Sequence, residues 1–170
     1  TVLAVDAKSG TIRWRMSSPV NPMTLTVDAT QVYFHDGNKI VCLNRADGAN
    51  RWASQPIPIP DLLPSQGASV LVAYDGVILF AGGIEGGKAK SGRGGGTGLC
   101  ALSARDGSQL WSASQPFVWG GTLRDVLVMN GLVWNGDVAS GSSPGTMTGR
   151  DLRTGEVKKQ FPPDVDIFWF

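Results

Sequence analysis

Cys100-Ala101-Leu102-Ser103-Ala104-Arg105-Asp106-Gly107-Ser108-Gln109-Leu110-Trp111 is the stretch that decides the fold, because it occurs more than once. Leu3 to Trp14 and Val41 to Trp52 carry the same design. In each, an apolar run ends at a short polar residue (Asp6, Asn44, Ser103), a glycine follows four positions later (Gly10, Gly48, Gly107), and a tryptophan four after that (Trp14, Trp52, Trp111). A fourth copy runs from Asp151 to Gly155, with Lys159 where the tryptophan would stand. The glycines are spaced by 38, 59 and 48 residues, so the chain is a repeat array with units of uneven length.

The chemistry of one copy is that of a β-hairpin. An apolar run leading into a polar residue suits a half-buried strand. A four-residue link ending in glycine suits a type I turn whose last residue takes positive φ. Asp6, Asn44, Ser103 and Asp151 can each cap that turn through a side-chain oxygen. The tryptophan then lies on the returning strand with a broad face to pack on a neighbour, so Trp52 and Trp111 are expected to be buried between successive sheets. Ahead of each hairpin lies another. Met23–Val27 and Gln31–His35 precede the second hairpin, with Asp36-Gly37 as a turn; Ala68–Tyr74 and Val77–Ala81 flank Asp75-Gly76; Leu123–Val128 and Leu132–Trp134 flank Asn130-Gly131. Asx-Gly between apolar runs is a strong short-range hairpin signal. Each full unit therefore reads as four antiparallel strands, one propeller blade. No segment carries a helical period over a useful length.

The expected fold is all-β: an incomplete propeller arc of about three and a half blades. Residues 1–18 form a half blade, 19–56 a blade, 57–116 a blade with a long Gly-rich insertion, 117–161 a blade, and 162–170 the start of a further strand. Such an arc leaves two sheet faces uncovered and is expected to need the remainder of the parent propeller, or self-association, for stability.

Composition narrows the function. Fifteen Lys and Arg against 14 Asp and Glu leave a net charge of +1, without the concentrated basic face that nucleic acid or an anionic membrane selects. No apolar run is long enough for a membrane-inserted helix. Cys42 and Cys100 are too few for a disulfide framework or a four-ligand zinc site and read as buried small hydrophobes.

The Ala-x-Asp-x-x-x-Gly-x-x-x-Trp pattern resembles the PQQ-like, quinoprotein-type β-propeller repeat family. That group includes quinoprotein dehydrogenases, an outer-membrane assembly lipoprotein of the bacterial envelope and further envelope proteins. The resemblance implies that Gly10, Gly48, Gly107 and Gly155 close turns between third and fourth strands, and that Trp14, Trp52 and Trp111 pack between blades. It also implies a periplasmic, secreted or cell-envelope location. Lys159 departs from the pattern.

Sharper motifs fail their context. Gly82-Gly83-Ile84-Glu85-Gly86-Gly87-Lys88 matches a phosphate-binding loop, but Ala89 stands where a hydroxyl should hold magnesium, and no helix follows. Gly96 to Ala101 mimics a dinucleotide fingerprint yet leads into a strand. Gly141-Ser142-Ser143-Pro144-Gly145 fits a hydrolase elbow string, with Pro144 at odds with its strand-to-helix turn. The single histidine, His35, lies far from it in sequence. Asp164 and Asp166 are two carboxylates where calcium wants six to eight oxygens.

Active quinoproteins use adjacent bridged cysteines, a stacking tryptophan and a catalytic aspartate around a quinone and calcium. No Cys-Cys pair occurs here. The first reading is therefore a non-catalytic propeller scaffold that binds a protein or ligand, with no cofactor or metal and with Lys88, Lys90 and Arg93 as a possible interaction loop. The second is a segment of a PQQ-dependent alcohol or sugar dehydrogenase, with PQQ and calcium as its cofactors.

Overall fold

The computed structural model describes residues 1–59, 69–83, 97–115, 126–136 and 146–161, with backbone alone at 97 and 115. Among these described residues fourteen strands make four antiparallel sheets. The first sheet has two strands, β1 (Val2–Val5) and β2 (Ile12–Met16). The second has four in sequence order: β3 (Thr26–Val27), β4 (Gln31–His35), β5 (Ile40–Asn44) and β6 (Asn50–Ala53). The third is β7 (Val70–Tyr74), β8 (Val77–Gly83), β9 (Thr97–Ser103) and β10 (Gln109–Gln115). The fourth is β11 (Leu127–Met129), β12 (Leu132–Gly136), β13 (Met147–Asp151) and β14 (Val157–Phe161). Two strands followed by three four-stranded blades is the incomplete propeller expected from the repeat.

The outer turns follow one design. The backbone N–H of Gly10, Gly48, Gly107 and Gly155 donates to the carbonyl of the polar residue four positions earlier, at 2.8–2.9 Å. All four glycines take φ of 73–74°, a region costly to any residue with a Cβ. The polar residue caps the turn from inside. Asp6 Oδ1 accepts from the N–H of Lys8 and Ser9, Asn44 Oδ1 from Ala46, Ser103 Oγ from Arg105, and Asp151 Oδ1 from Arg153 and Thr154. Each hairpin has a register shift beside its turn, where the extra residue is absorbed.

The inner turns differ more. Asp75-Gly76 and Asn130-Gly131 have positive φ at both positions, the two-residue turn that matches strand twist. In the second sheet the inner turn is Asp28–Gln31 instead: Asp28 N–H donates to the Gln31 carbonyl and Asp28 Oδ1 accepts from Thr30 and Gln31, while Asp36-Gly37 opens the loop between β4 and β5, with Asp36 N–H donating to the Lys39 carbonyl and Asp36 Oδ1 accepting from Asn38 and Lys39. The expected strand at Met23–Val27 shrinks to Thr26–Val27, because Met23 takes φ 65° and Thr24 folds back to hydrogen-bond the Asn21 carbonyl. The last inner strand begins at Leu127, and the earlier part of the expected Leu123–Val128 falls largely outside the described residues.

The sheets stack face to face, and strand alternation sorts side chains between two joints. Val32, Phe34, Val41 and Leu43 of the second sheet pack back on Val2 of the first. Tyr33, Ile40 and Cys42 pack forward on Leu71, Ile78, Phe80, Cys100 and Leu102 of the third. Val77, Leu79, Ala81, Leu99 and Ala101 continue forward onto Val126, Val133 and Leu152 of the fourth. The two middle sheets are buried on both faces, so β5 and β8 read as continuous apolar runs rather than alternating ones.

Candidate functional site

The joints are where this sequence places its aromatic and polar chemistry. Each repeat tryptophan docks on the outer turn of the next sheet. The Trp14, Trp52 and Trp111 rings lie so close over Gly48, Gly107 and Gly155 that a Cβ there would come within 2.5–2.7 Å of the indole. Each indole Nε1–H donates to a carbonyl of that same turn: Trp14 to Arg45 at 2.9 Å, Trp52 to Ala104 at 3.0 Å, and Trp111 to Leu152 at 2.9 Å. The N–H groups of Arg45, Ala104 and Leu152 donate in turn to Thr30, Gly76 and Gly131 in the inner turns of their own sheets. One residue thus ties the preceding blade to the inner hairpin of its own. Trp111 is buried, whereas Trp14 and Trp52 are half-buried, so the outer rim closes least tightly at the first two joints. At Gly10 nothing lies within 4 Å of a Cβ position.

The fourth sheet breaks the pattern. Lys159 is exposed opposite Gly149. Trp134 of β12 fills the space over Gly149, where a Cβ would come within 2.9 Å of its ring, and stacks on Phe161 at 5.7 Å between centroids. The indole comes from the second strand instead of the fourth, a substitution that needs a glycine on the third. Among the described residues its buried Nε1 has no hydrogen-bond partner, and neither do Asn135 Oδ1 and Arg150 Nε on the same sheet.

The buried titratable groups are engaged in structure. His35 is fully buried and stacks on Phe80 across the joint between the second and third sheets, with centroids 4.9 Å apart and planes 6° from parallel. Its Nε2 bonds the Ile57 carbonyl at 2.9 Å and its Nδ1 accepts from Gly37 N–H at 3.1 Å, which fixes the neutral tautomer. Burial holds its pKa below the ordinary value, outweighing the Ile57 bond. Cys42 and Cys100 are free thiols facing that same joint, each pushed up to about 12, chiefly by burial. The Cys42 thiol donates to Gln31 Oε1 at 2.8 Å. Tyr33 donates to Asp28 at 2.7 Å; burial and that bond raise its pKa. Burial would raise the Asp28 carboxyl, but hydrogen bonds from Tyr33, Thr30 and Gln31 prevail and hold it low.

The outer-turn rim is the exposed surface best defined by these residues. An open cleft of about 720 Å³ runs along it between the first two sheets, walled by the Ala4–Lys8 stretch and by Ala29, Thr30 and Arg45. Three rim cations lie beside carboxylates: Arg13 pairs with Asp6, Arg153 with Asp75 at 2.7 Å, and Arg105 lies 3.8 Å from Asp106, while Arg45 donates to the Asp28 and Ala29 carbonyls. The Arg13 guanidinium, followed by the Ser9 and Lys8 amides, holds the Asp6 carboxyl well below its usual range. Among the described residues no three His, Cys, Asp or Glu side chains gather as a metal set.

Lys88, Lys90 and Arg93 lie outside the described residues, as do the G-x-S-x-G string and Asp164 and Asp166. The rim cleft and the Trp134 substitution were not evident from sequence. The signal for the second was the pairing of a missing tryptophan at Lys159 with a glycine at 149.

The profile of the family described as outer membrane protein assembly factor BamB matches residues 1–162. Among solved structures, BamB from Moraxella catarrhalis superposes with a TM-score of 0.58 at 17% identity, covering 96% of this chain and 58% of that one. A europium-containing methanol dehydrogenase gives 0.53 at 19% identity, over 86% of this chain and 26% of that one. Quinohemoprotein alcohol dehydrogenase from Comamonas testosteroni gives 0.51 at 18%, over 85% and 21%. Identities this low show a shared fold alone. The chain spans 58% or less of the length of each of these proteins. No curated protein sequence matches it.

Proposed function

Because the chain belongs to the family of the outer membrane protein assembly factor BamB, we propose that it is part of a non-catalytic propeller scaffold that holds another protein at the cell envelope. The observation that carries this reading is the commitment of the reactive side chains to the joints. His35 has both ring nitrogens bonded and its ring stacked, and both thiols sit buried and protonated. A general base needs a free lone pair within reach of a substrate, and a nucleophilic cysteine needs its thiolate.

The outer-turn rim is the docking surface in this reading. It is irregular, it contains a cleft, and it mixes ion pairs with the cations Lys8 and Arg45 that line the cleft, which suits a mixed-charge protein surface better than a polyanion. Lys88, Lys90 and Arg93 are proposed as a second contact, for an acidic segment of the same partner.

The test places a photo-crosslinking residue at Ala46 or Lys8 on the rim, and in parallel at Lys90, in envelope preparations. The expected result is one discrete protein adduct from the rim positions that charge reversal of Arg45 weakens. The alternative is a segment of a PQQ-dependent dehydrogenase, with the quinone and calcium bound by the intact parent protein. Its readout is a bound quinone absorbance band and dye-linked oxidation of an alcohol or sugar after PQQ and calcium are added. Absence of any rim adduct together with that band would reverse the assignment.

A further inference from the structure

The last strand of every sheet, β2, β6, β10 and β14, lies at an outer edge with no further strand beside it among the described residues. The outward N–H and C=O groups of such an edge are a template for another strand unless charge, shortness or a bulge guards them. All four strands carry a bulge beside the outer turn. β2 adds Arg13 and Arg15 within five residues, β6 adds Arg51 within four, and β14 adds Lys158 and Lys159 within five, all exposed. β10 departs from this. It runs for seven residues, Gln-Leu-Trp-Ser-Ala-Ser-Gln, without a charge or a proline. Leu110 is 42% exposed, and Ser112 and Ser114 are exposed as well.

This edge lies in the interior of the array, away from the first and fourth sheets. Neighbouring blades stack on sheet faces, as the three joints do, so further blades of a ring add to faces and leave a radial outer edge uncovered. The link from Gln115 to Val126 reaches at most about 40 Å when fully extended. A run back along the seven residues of β10 and a return would consume that length before any of it crossed to the inner strand β11.

We propose that β10 pairs antiparallel with β10 of a second copy about a two-fold axis at Ser112, joining the two third sheets edge to edge. Ser112 is the centre of the strand, so this register overlaps all seven residues. It sets Leu110 against Ser114, Trp111 against Ala113, Gln109 against Gln115 and Ser112 against itself. Each large apolar side chain then stands opposite a small one, and two serine hydroxyls meet at the axis. Trp111 keeps its seat over Gly155, because the alanine opposite asks for little room on that face. The cationic edges oppose the same operation. Full overlap of β2 with itself sets Arg13 against Arg15, and full overlap of β14 sets Lys159 against Lys159. Like charges directly opposite are destabilising. A two-fold contact uses one patch on both copies and is complete at the dimer. It also leaves the outer-turn rim free for the partner proposed above.

Site-directed cross-linking of the 170-residue chain tests the register. Directly opposite residues of an antiparallel pair have Cβ atoms about 4.5–5.5 Å apart, close to disulfide reach. Cys42 and Cys100 are buried and do not compete. After oxidation with copper phenanthroline at micromolar protein, Ser112→Cys is expected to run at twice 18.0 kDa on a non-reducing gel. Ser114→Cys alone is expected to run at 18.0 kDa, because its two copies lie roughly four residues, or about 13 Å, from each other along the strands. Mixing Ser114→Cys with Leu110→Cys is expected to restore the doubled band. Adding Ser112→Lys to both members of that mixture sets two ammonium groups at the axis and is expected to weaken association by up to about fivefold. All these positions are exposed in a single copy, so the variants leave the sheet interior unaltered. A Ser112→Cys chain that stays single overturns the proposal. If its thiol also resists maleimide, another part of the same chain covers the edge. Equal cross-linking by Ser114→Cys alone, or an adduct of Ser112→Cys with a different envelope protein in place of the dimer, overturns it as well.

Discussion

Replacing Gly107 by alanine perturbs one joint in a way that can be separated into its causes. The position has φ 74°, which a residue with a Cβ adopts at a cost of roughly 1–2 kcal/mol. The added Cβ would also lie 2.5 Å from Trp52 Cε3 and 2.8 Å from Cζ3. Those are atoms of a rigid ring pinned by its N–H bond to the Ala104 carbonyl, so relief requires moving the indole or the turn. Overpacking of that kind costs roughly 1–3 kcal/mol more. The expected total for Gly107→Ala is therefore about 2–5 kcal/mol. The chain contains its own control: Gly10 has φ 73° in the same type of turn, with nothing within 4 Å of its Cβ. Gly10→Ala should show the backbone part alone, about 1–2 kcal/mol. Urea denaturation followed by tryptophan fluorescence gives both numbers, and the double variant Gly107→Ala with Trp52→Ala should show a coupling of about 1 kcal/mol or more. Equal losses at Gly10 and Gly107, or strict additivity with Trp52→Ala, would refute indole docking as the reason for glycine at the third joint member.

Three further outcomes are expected. Trp111→Ala should destabilise by roughly 3–5 kcal/mol and by more than Trp14→Ala, since Trp111 is buried and Trp14 is not; thermal unfolding of the pair measures the difference. His35 has a folded pKa below its ordinary 6.5, so the unfolded chain binds the extra proton; its contribution is complete above about pH 6.5 and is lost as pH falls through the folded value. The slope in that window, at most about 1.4 kcal/mol per pH unit, should vanish in His35→Gln, whereas the loss below pH 4 from the depressed Asp28, Asp106 and Asp151 should remain. Cys42 and Cys100, buried and pushed up to about 12, should resist iodoacetamide at pH 8 in the folded protein and react fully in urea; rapid native labelling would contradict their burial.

The local half of this architecture was legible without coordinates. The four capped turns, their positive-φ glycines and the Asx-Gly hairpins at 75–76 and 130–131 arise from hydrogen bonds and dihedral limits within five or six residues, and the sequence alone carries those. The strand at Met23–Val27 was misjudged because Thr24 found a local partner that an apolar pattern does not reveal. What each tryptophan rests on was decided by the tertiary structure: the acceptors lie 31, 52 and 41 residues away, and the glycine under each indole belongs to a turn in another sheet. The same holds for the His35–Phe80 stack and for Trp134 over Gly149, where a ring from one strand occupies the Cβ space missing on its neighbour. Turn chemistry is set by covalent neighbours, so it is written along the chain. Docking between blades depends on how far apart two twisted sheets settle, and that distance exists only once both have folded.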